Sequence, residues 1–246
     1  VRVPLERAEE ARALMLELAP EGFEERERGS ELELAAYTDG LGGSRIARAF
    51  GAAQEDDVPS DWSERWRTFH RPARAGPFWI GPSWEGAPDD AIAIVIDPGL
   101  AFGTGAHATT RLCLELLAEV PIGSLLDAGC GSGVLSVAGT KLGFAPVHAV
   151  DDDPFAIETA RANAAANDVE LDAARLDVTR DHLPEADVTV ANIALATVES
   201  LAHRLHCRDL VASGYLDGDA PRLEAWTHVE RRTLDGWAAD RFTRRV

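Results

Sequence analysis

Lysine is almost absent from this chain of 246 residues. Lys141 is the only one, so nearly all the positive charge is arginine. Positive charge is itself scarce: 24 lysines and arginines face 42 aspartates and glutamates, a formal net charge of −18. That balance argues against direct binding to a nucleic-acid backbone, where affinity rests on neutralising phosphates. It suits a basic partner protein, or a surface adapted to solubility. Cysteine is sparse too. Cys113, Cys130 and Cys207 are scattered without metal-ligand spacing, so no metal site is expected, and an odd, low count fits a reducing cytoplasm. Apolar runs stay well below the roughly 18 residues a membrane helix needs. No charged, apolar and small-residue leader is expected ahead of the fold. Hydrophobic residues still make up 46% of the chain, enough for the core of one large domain, or of a large and a small one.

The stretch around which the chain is organised covers residues 125–151. It starts Leu125-Leu126-Asp127-Ala128-Gly129-Cys130-Gly131-Ser132-Gly133-Val134 and ends His148-Ala149-Val150-Asp151, with a helical pattern between. Strand, glycine turn, helix, strand and acid make half of a nucleotide-binding βαβ unit. Alternate glycines allow a sharp turn and a close ligand. Asp151 lies 22 positions after Gly129, near the ~20 expected of an acid that holds ribose hydroxyls. The dinucleotide fingerprint wants its third glycine where this chain has Val134. Asp127, at the strand end, would repel a pyrophosphate but suits a cation. S-adenosylmethionine carries a sulfonium, an ammonium and a ribose but no phosphate, and is favoured over NAD. A dinucleotide fold, or a glycine turn without a ligand, is the alternative. Cys130 reads as a small residue that fits the turn rather than a nucleophile.

Residues 1–57 read as a small α+β, ferredoxin-like domain: a helical pattern over 5–18, a hairpin around Gly29-Ser30, and a second short helix over 40–50. Residues 58–75 read as a helical linker, with Trp62, Trp66 and Phe69 on one helix face. Residues 76–246 read as the ligand-binding domain. A strand over 91–96 is followed by a loop rich in glycine, with Phe102, Gly103, Thr104, Gly105 and His107, then a helix over 111–117 capped by Thr109 or Thr110. Helices are expected over 155–167, 195–205 and 220–226. Strands are expected over 186–193 and 209–214, with a closing hairpin over 229–234 and 238–246. Alternation of β and α implies a Rossmann-like α/β fold, an open, mostly parallel twisted sheet ending in an antiparallel hairpin. Ligands bind such sheets at the C-terminal strand edge, where the glycine turn, Asp151 and Asn192 would meet.

Together these residues resemble the ribosomal protein methyltransferase family of the PrmA type, which methylates large-subunit ribosomal protein eleven. The specific part is Asp97-Pro98-Gly99-Leu100-Ala101-Phe102-Gly103-Thr104-Gly105 with His107 and Thr109-Thr110. The stretch from Trp79 to Trp84 and Ala191-Asn192-Ile193 are also similar. Ala106 and Ala108 depart from the family pattern, and the N-terminal unit is short. The resemblance implies an S-adenosylmethionine-dependent protein N-methyltransferase acting on lysine ε-amines or an N-terminal α-amine of a basic ribosomal protein. It implies cofactor contacts from Thr110, Gly129, Asp151 and Asn192, to which the turn adds Asp127 and Gly131 and the loop His107. Phe102, Thr104, Gly105 and Asn192 would serve the methyl end. A glutamine methyltransferase would want Asn-Pro-Pro where this chain has Asn192-Ile193-Ala194. A small-molecule amine methyltransferase and a binding module without chemistry are the other readings.

Overall fold

The computed structural model describes residues 1–8, 11, 14–15, 18, 24–36, 40–51, 72–96 and 105–245. Two compact units are present, Val1–Trp66 and Arg67–Val246. The expected helix carrying Trp62, Trp66 and Phe69 lies outside the described residues, as does the loop over 97–104.

In the first unit β1 (Arg2–Pro4), β2 (Glu24–Arg28) and β3 (Glu31–Ala35) form an antiparallel sheet of order β1-β3-β2. β2 and β3 turn at Gly29-Ser30, as the alternation predicts. Period-two patterning sends Leu32 and Leu34 to one face, where they are buried with Val3, Ala11, Met15 and Ile46. Ala8, Ala11, Leu14, Met15 and Leu18 are helical after a 3-10 turn at Leu5–Arg7, and α1 is Gly40–Phe50. The β-α-β-β-α order with β3 central is that of a ferredoxin-like half-domain.

The second unit opens with a small sheet, β4 (Ala73–Ala75), β5 (Phe78–Gly81) and β6 (Ile92–Val95), in which β5 and β6 are parallel. Helix α2 (Ala108–Leu117) leads to the main sheet. There β7 (Leu125–Ala128), α3 (Val134–Leu142), β8 (Val147–Asp151), α4 (Pro154–Ala166), β9 (Asp172–Arg175), β10 (Val188–Asn192), α5 (Leu195–Ala202), β11 (Asp209–Leu216), β12 (Trp226–Leu234) and β13 (Trp237–Arg244) follow. The seven-stranded order is β12-β13-β11-β10-β7-β8-β9. Strands β9, β8, β7, β10 and β11 are parallel; β13 and β12 close the sheet antiparallel. Every residue of β7 is buried, as both-face burial demands of a central parallel strand. From β7 the chain winds outward to β8 and β9, then returns to lay β10 on the other flank. The crevice between β7 and β10 is therefore the topological switch point.

Two expectations need correction. Residues 220–226 are not helical: they are irregular up to Trp226, where β12 begins. Pro221 and the short run leave little helix to gain. Burial of the Trp226 indole, which donates to the Ala202 carbonyl at 3.2 Å, fixes the segment instead. Helix α2 starts at Ala108, three residues before the expected Arg111, and its cap is His107 rather than Thr109 or Thr110. Both threonines are buried inside the first turn.

Candidate active site

The C-terminal edge of the switch point gathers the expected turn, acid and amide. β7 ends in Asp127 and Ala128, and the chain then turns through Gly129, Gly131 and Gly133 at φ values of +79°, +51° and +76°. The Val150 carbonyl ties this turn to β8, accepting from the N–H groups of Gly129 at 2.8 Å and Cys130 at 3.0 Å. Asp151, the last residue of β8, completes the cradle. Its Oδ2 accepts from the Gly131 N–H at 2.9 Å and its Oδ1 from the Asp153 N–H at 3.0 Å. Each oxygen keeps acceptor capacity for a further donor, such as a sugar hydroxyl.

Asp127 lies beneath the turn, fully buried. Its Oδ2 accepts from the Ser136 hydroxyl at 2.6 Å, whereas its Oδ1 is buried without a hydrogen-bond partner. Burial pushes its pKa from the usual 3.8 up to about 7; the Ser136 hydrogen bond opposes the shift and the Asp151 charge adds to it. A native protein seldom leaves a buried carboxylate oxygen unmatched. The missing partner is a donor, and a cation satisfies it best.

Asn192 ends β10 on the other flank. Its Nδ2 donates to Thr110 Oγ1 of α2 at 3.3 Å, which leaves the amide oxygen for another donor. Thr110 is buried, so this pair braces the first turn of α2 against β10. The His107 ring caps α2. Its Nδ1 lies 2.8 Å from Thr109 Oγ1 and accepts weakly from the Thr109 N–H at 3.4 Å, and the ring stands edge-on to Trp237, centroids 4.9 Å apart. Only the rest of the ring is left for a ligand. His107→Ala is expected to cost about 1 kcal/mol as a lost cap and about as much again for the ring contact. A calorimetric melt should show the midpoint lowered by several degrees; an unmoved midpoint would leave cap and contact without weight.

Phe102 and Thr104 lie outside the described residues. Gly105 is buried at φ +82°, and a Cβ there would stand 2.4 Å from the Ile80 side chain of β5. No side chain can occupy that position without strain. Sequence reasoning missed three contributors. Ser136 meets Asp127 across the whole turn, a contact no local motif encodes. Ile193 covers the turn: a Cβ on Gly129 would come within 2.4 Å of its Cγ2. Gly214 lets β11 pass beside Ile193, and the signal for it was available, since glycine within a strand pattern marks a bulge or a close backbone approach.

The family described as ribosomal protein L11 methyltransferase (PrmA) matches residues 30–220. The chain belongs to the ribosomal protein L11 methyltransferase family. Relatives carrying that name include one from Legionella pneumophila strain Philadelphia 1, 39% identical over 197 residues, covering 74% of this chain and 68% of the relative. Another, from Symbiobacterium thermophilum, is 39% identical over 219 residues, with 81% and 69% covered. Among solved structures, a ribosomal protein L11 methylase from Lactobacillus delbrueckii subsp. bulgaricus is similar at TM-score 0.63 and 28% identity, over 72% of this chain and 100% of that one. Within this L11 methyltransferase family member, no cluster of three metal-ligating side chains occurs among the described residues. No described helix is long and apolar enough to cross a membrane. All three cysteines are buried and unbridged, and burial holds each thiol well above its ordinary pKa, as expected of inert side chains.

Proposed function

We propose that the chain methylates amines of ribosomal protein L11, on lysine side chains or at the N-terminus, with S-adenosylmethionine as the methyl donor. The observation that carries the cofactor is the unpartnered Oδ1 of Asp127 under the glycine turn, which fits an ammonium and rejects a pyrophosphate. Asp151 takes the ribose hydroxyls, the Gly129 and Gly131 backbone lets the ligand approach, and Thr110 holds Asn192 in place. The relatives' printed name supplies the protein substrate. A net charge of −18 suits a basic one.

The bound cofactor would supply an electrophilic methyl group; the residues of the chain supply position and dryness. In-line displacement gains most from holding the reactants in register. The acceptor amine must first lose a proton, and a free lysine does so near ~10.4. Removal from water lowers that value because burial disfavours the ammonium. The Asn192 oxygen, freed by the contact of its Nδ2 with Thr110, would accept from the neutral amine and orient its lone pair. Gly105, Phe102 and Thr104 belong to the segment proposed to cover the methyl end. Incubation with isotopically labelled S-adenosylmethionine and purified L11, followed by mass spectrometry, tests the whole reading. Unlabelled L11 beside an active control enzyme would remove the substrate assignment.

The charge on Asp127 makes a separate pH prediction. A carboxyl whose folded pKa is raised stabilises the fold below its unfolded value, and loses that stabilisation as pH climbs to the folded one. From the usual 3.8 to about 7 the loss approaches roughly 4 kcal/mol. A cofactor ammonium compensates the charge, so cofactor affinity should rise about tenfold per pH unit towards neutrality and level off above about 7. Asp127→Asn should bind weakly and show no such rise. Calorimetric titrations at several pH values check this, and a flat wild-type profile would detach Asp127 from the ligand.

A further inference from the structure

Helix α4 and its C-cap present Ala160, Asn163 and the cap residue Asn167, spaced three and four residues apart, along one side. Each meets a different part of the second unit. A Cβ on Gly133 would come within 2.8 Å of the Ala160 Cβ, so helix and glycine turn are in contact there. One helical turn on, Asn163 Nδ2 donates to the Ser132 carbonyl, in the middle of the glycine turn, at 2.8 Å. One further turn on, the buried Asn167 amide pairs with β6 as a strand would: its Oδ1 accepts from the Val95 N–H at 2.8 Å and its Nδ2 donates to the Val95 carbonyl at 2.7 Å. The two asparagines are themselves joined, Asn167 Nδ2 donating to the Asn163 carbonyl at 2.8 Å.

We propose that Asn163 is a positioning residue for the cofactor turn, and that with Asn167 it holds this turn and β6 in one fixed frame along α4. This rests on the cofactor reading above. Within the turn the Gly133 N–H donates to the Cys130 carbonyl at 2.8 Å, and Asn163 ties the Ser132 carbonyl, on the same peptide plane, outward to α4. Its Gly131 N–H must face Asp151 for the carboxylate to be aimed at the ribose, and the plane Asn163 grips, between Ser132 and Gly133, lies two peptides further on. Glycine residues resist rotation of that plane poorly. Removing the grip should loosen the Ser132 carbonyl, misdirect Asp151, and weaken binding without touching a ligand-contacting atom.

The experiment compares wild type, Asn163→Ser and Asn163→Asp in two measurements. Serine is too short to reach the Ser132 carbonyl, and aspartate keeps the shape but offers oxygen in place of the donor. Hydrogen exchange on the cofactor-free protein reads the amides of residues 131–133, and calorimetry reads the S-adenosylmethionine Kd well below the melting temperature. Both variants are expected to exchange these amides at least tenfold faster, with exchange in β10 and β11 unaltered, and to raise Kd about tenfold. Should aspartate prevent folding, the serine variant decides alone. Turn exchange and Kd within twofold of wild type would overturn the proposal. Faster exchange throughout the sheet with unchanged Kd would also overturn it, showing plain stabilisation. Wild type that binds no S-adenosylmethionine would sink the cofactor reading and this role with it. Binding by wild type with no response in the variants would sink this role alone.

Discussion

Asp151→Ala is expected to raise the S-adenosylmethionine Kd by a hundredfold or more. A hydrogen bond to a charged group is worth roughly 1.5–3 kcal/mol, and a ribose offers two hydroxyls to this carboxylate. The substitution also frees the Gly131 N–H, now held at 2.9 Å, so the turn loses one of its ties to β8 together with the proposed sugar contact. Asp151→Asn should fall between the two. Its amide oxygen still accepts from Gly131, but its NH2 then faces the Asp153 N–H that the second carboxylate oxygen now accepts. Calorimetric titration of the three proteins decides. Equal affinities would take Asp151 out of the site, and the assignment of β8 as the ribose strand would go with it.

Gly214→Ala is expected to damage stability and turnover together. Gly214 sits at φ +103° where the pairing of β11 with β13 slips between Ser213 and Tyr215. A Cβ there would stand 2.1 Å from the Ile193 carbonyl oxygen and 2.6 Å from its carbon, both backbone atoms that cannot swing aside. Left-handed backbone and overpacking together cost roughly 2–5 kcal/mol, a melting shift on the order of 10 °C for a unit this size. Relief must come from moving the end of β10, and Asn192 moves with it. Turnover should therefore drop more than cofactor affinity, because a misplaced amine costs rate. Gly218→Ala is the control: nothing lies within 4 Å of its added Cβ. If Gly214→Ala melts and turns over like wild type, Ile193 and Asn192 are not pinned by β11.

The glycine turn, Asp151 and Asn192 were legible because each sits where a strand stops, and strand ends follow from short apolar runs. The hairpin at Asp235-Gly236 was legible for the same reason, with φ +51° and +79° at its two corner residues. Other features depend on contacts far apart in the chain. The Ser136 hydroxyl under Asp127, the Ala160 and Asn163 grip on the turn, and the passage of Gly214 past Ile193 all appear only once α3, α4 and β11 are packed. The cap of α2 was misplaced for a local reason. The two threonines after His107 look like better caps, but burial of the first α2 turn draws them inward and leaves the imidazole at the cap. The expected helix over 220–226 failed because one anchored indole outweighs a short run of helix formers.

Strand β13 lies between β11 and β12, although it follows both in sequence. During translation, at ~5–20 residues per second, β11 waits with an open edge through the making of more than twenty further residues, Asp217 to Ala239. β12 cannot serve as a stopgap in its final place, since its hydrogen-bonding partner in the sheet is β13. The crevice that would receive the cofactor depends on β10 and β11, so a nascent chain halted before Trp237 carries the glycine turn and Asp151 but not a finished sheet behind Asn192. Competence for ligand should thus arrive abruptly, with the emergence of the β12–β13 hairpin, rather than grow as the βαβ units emerge.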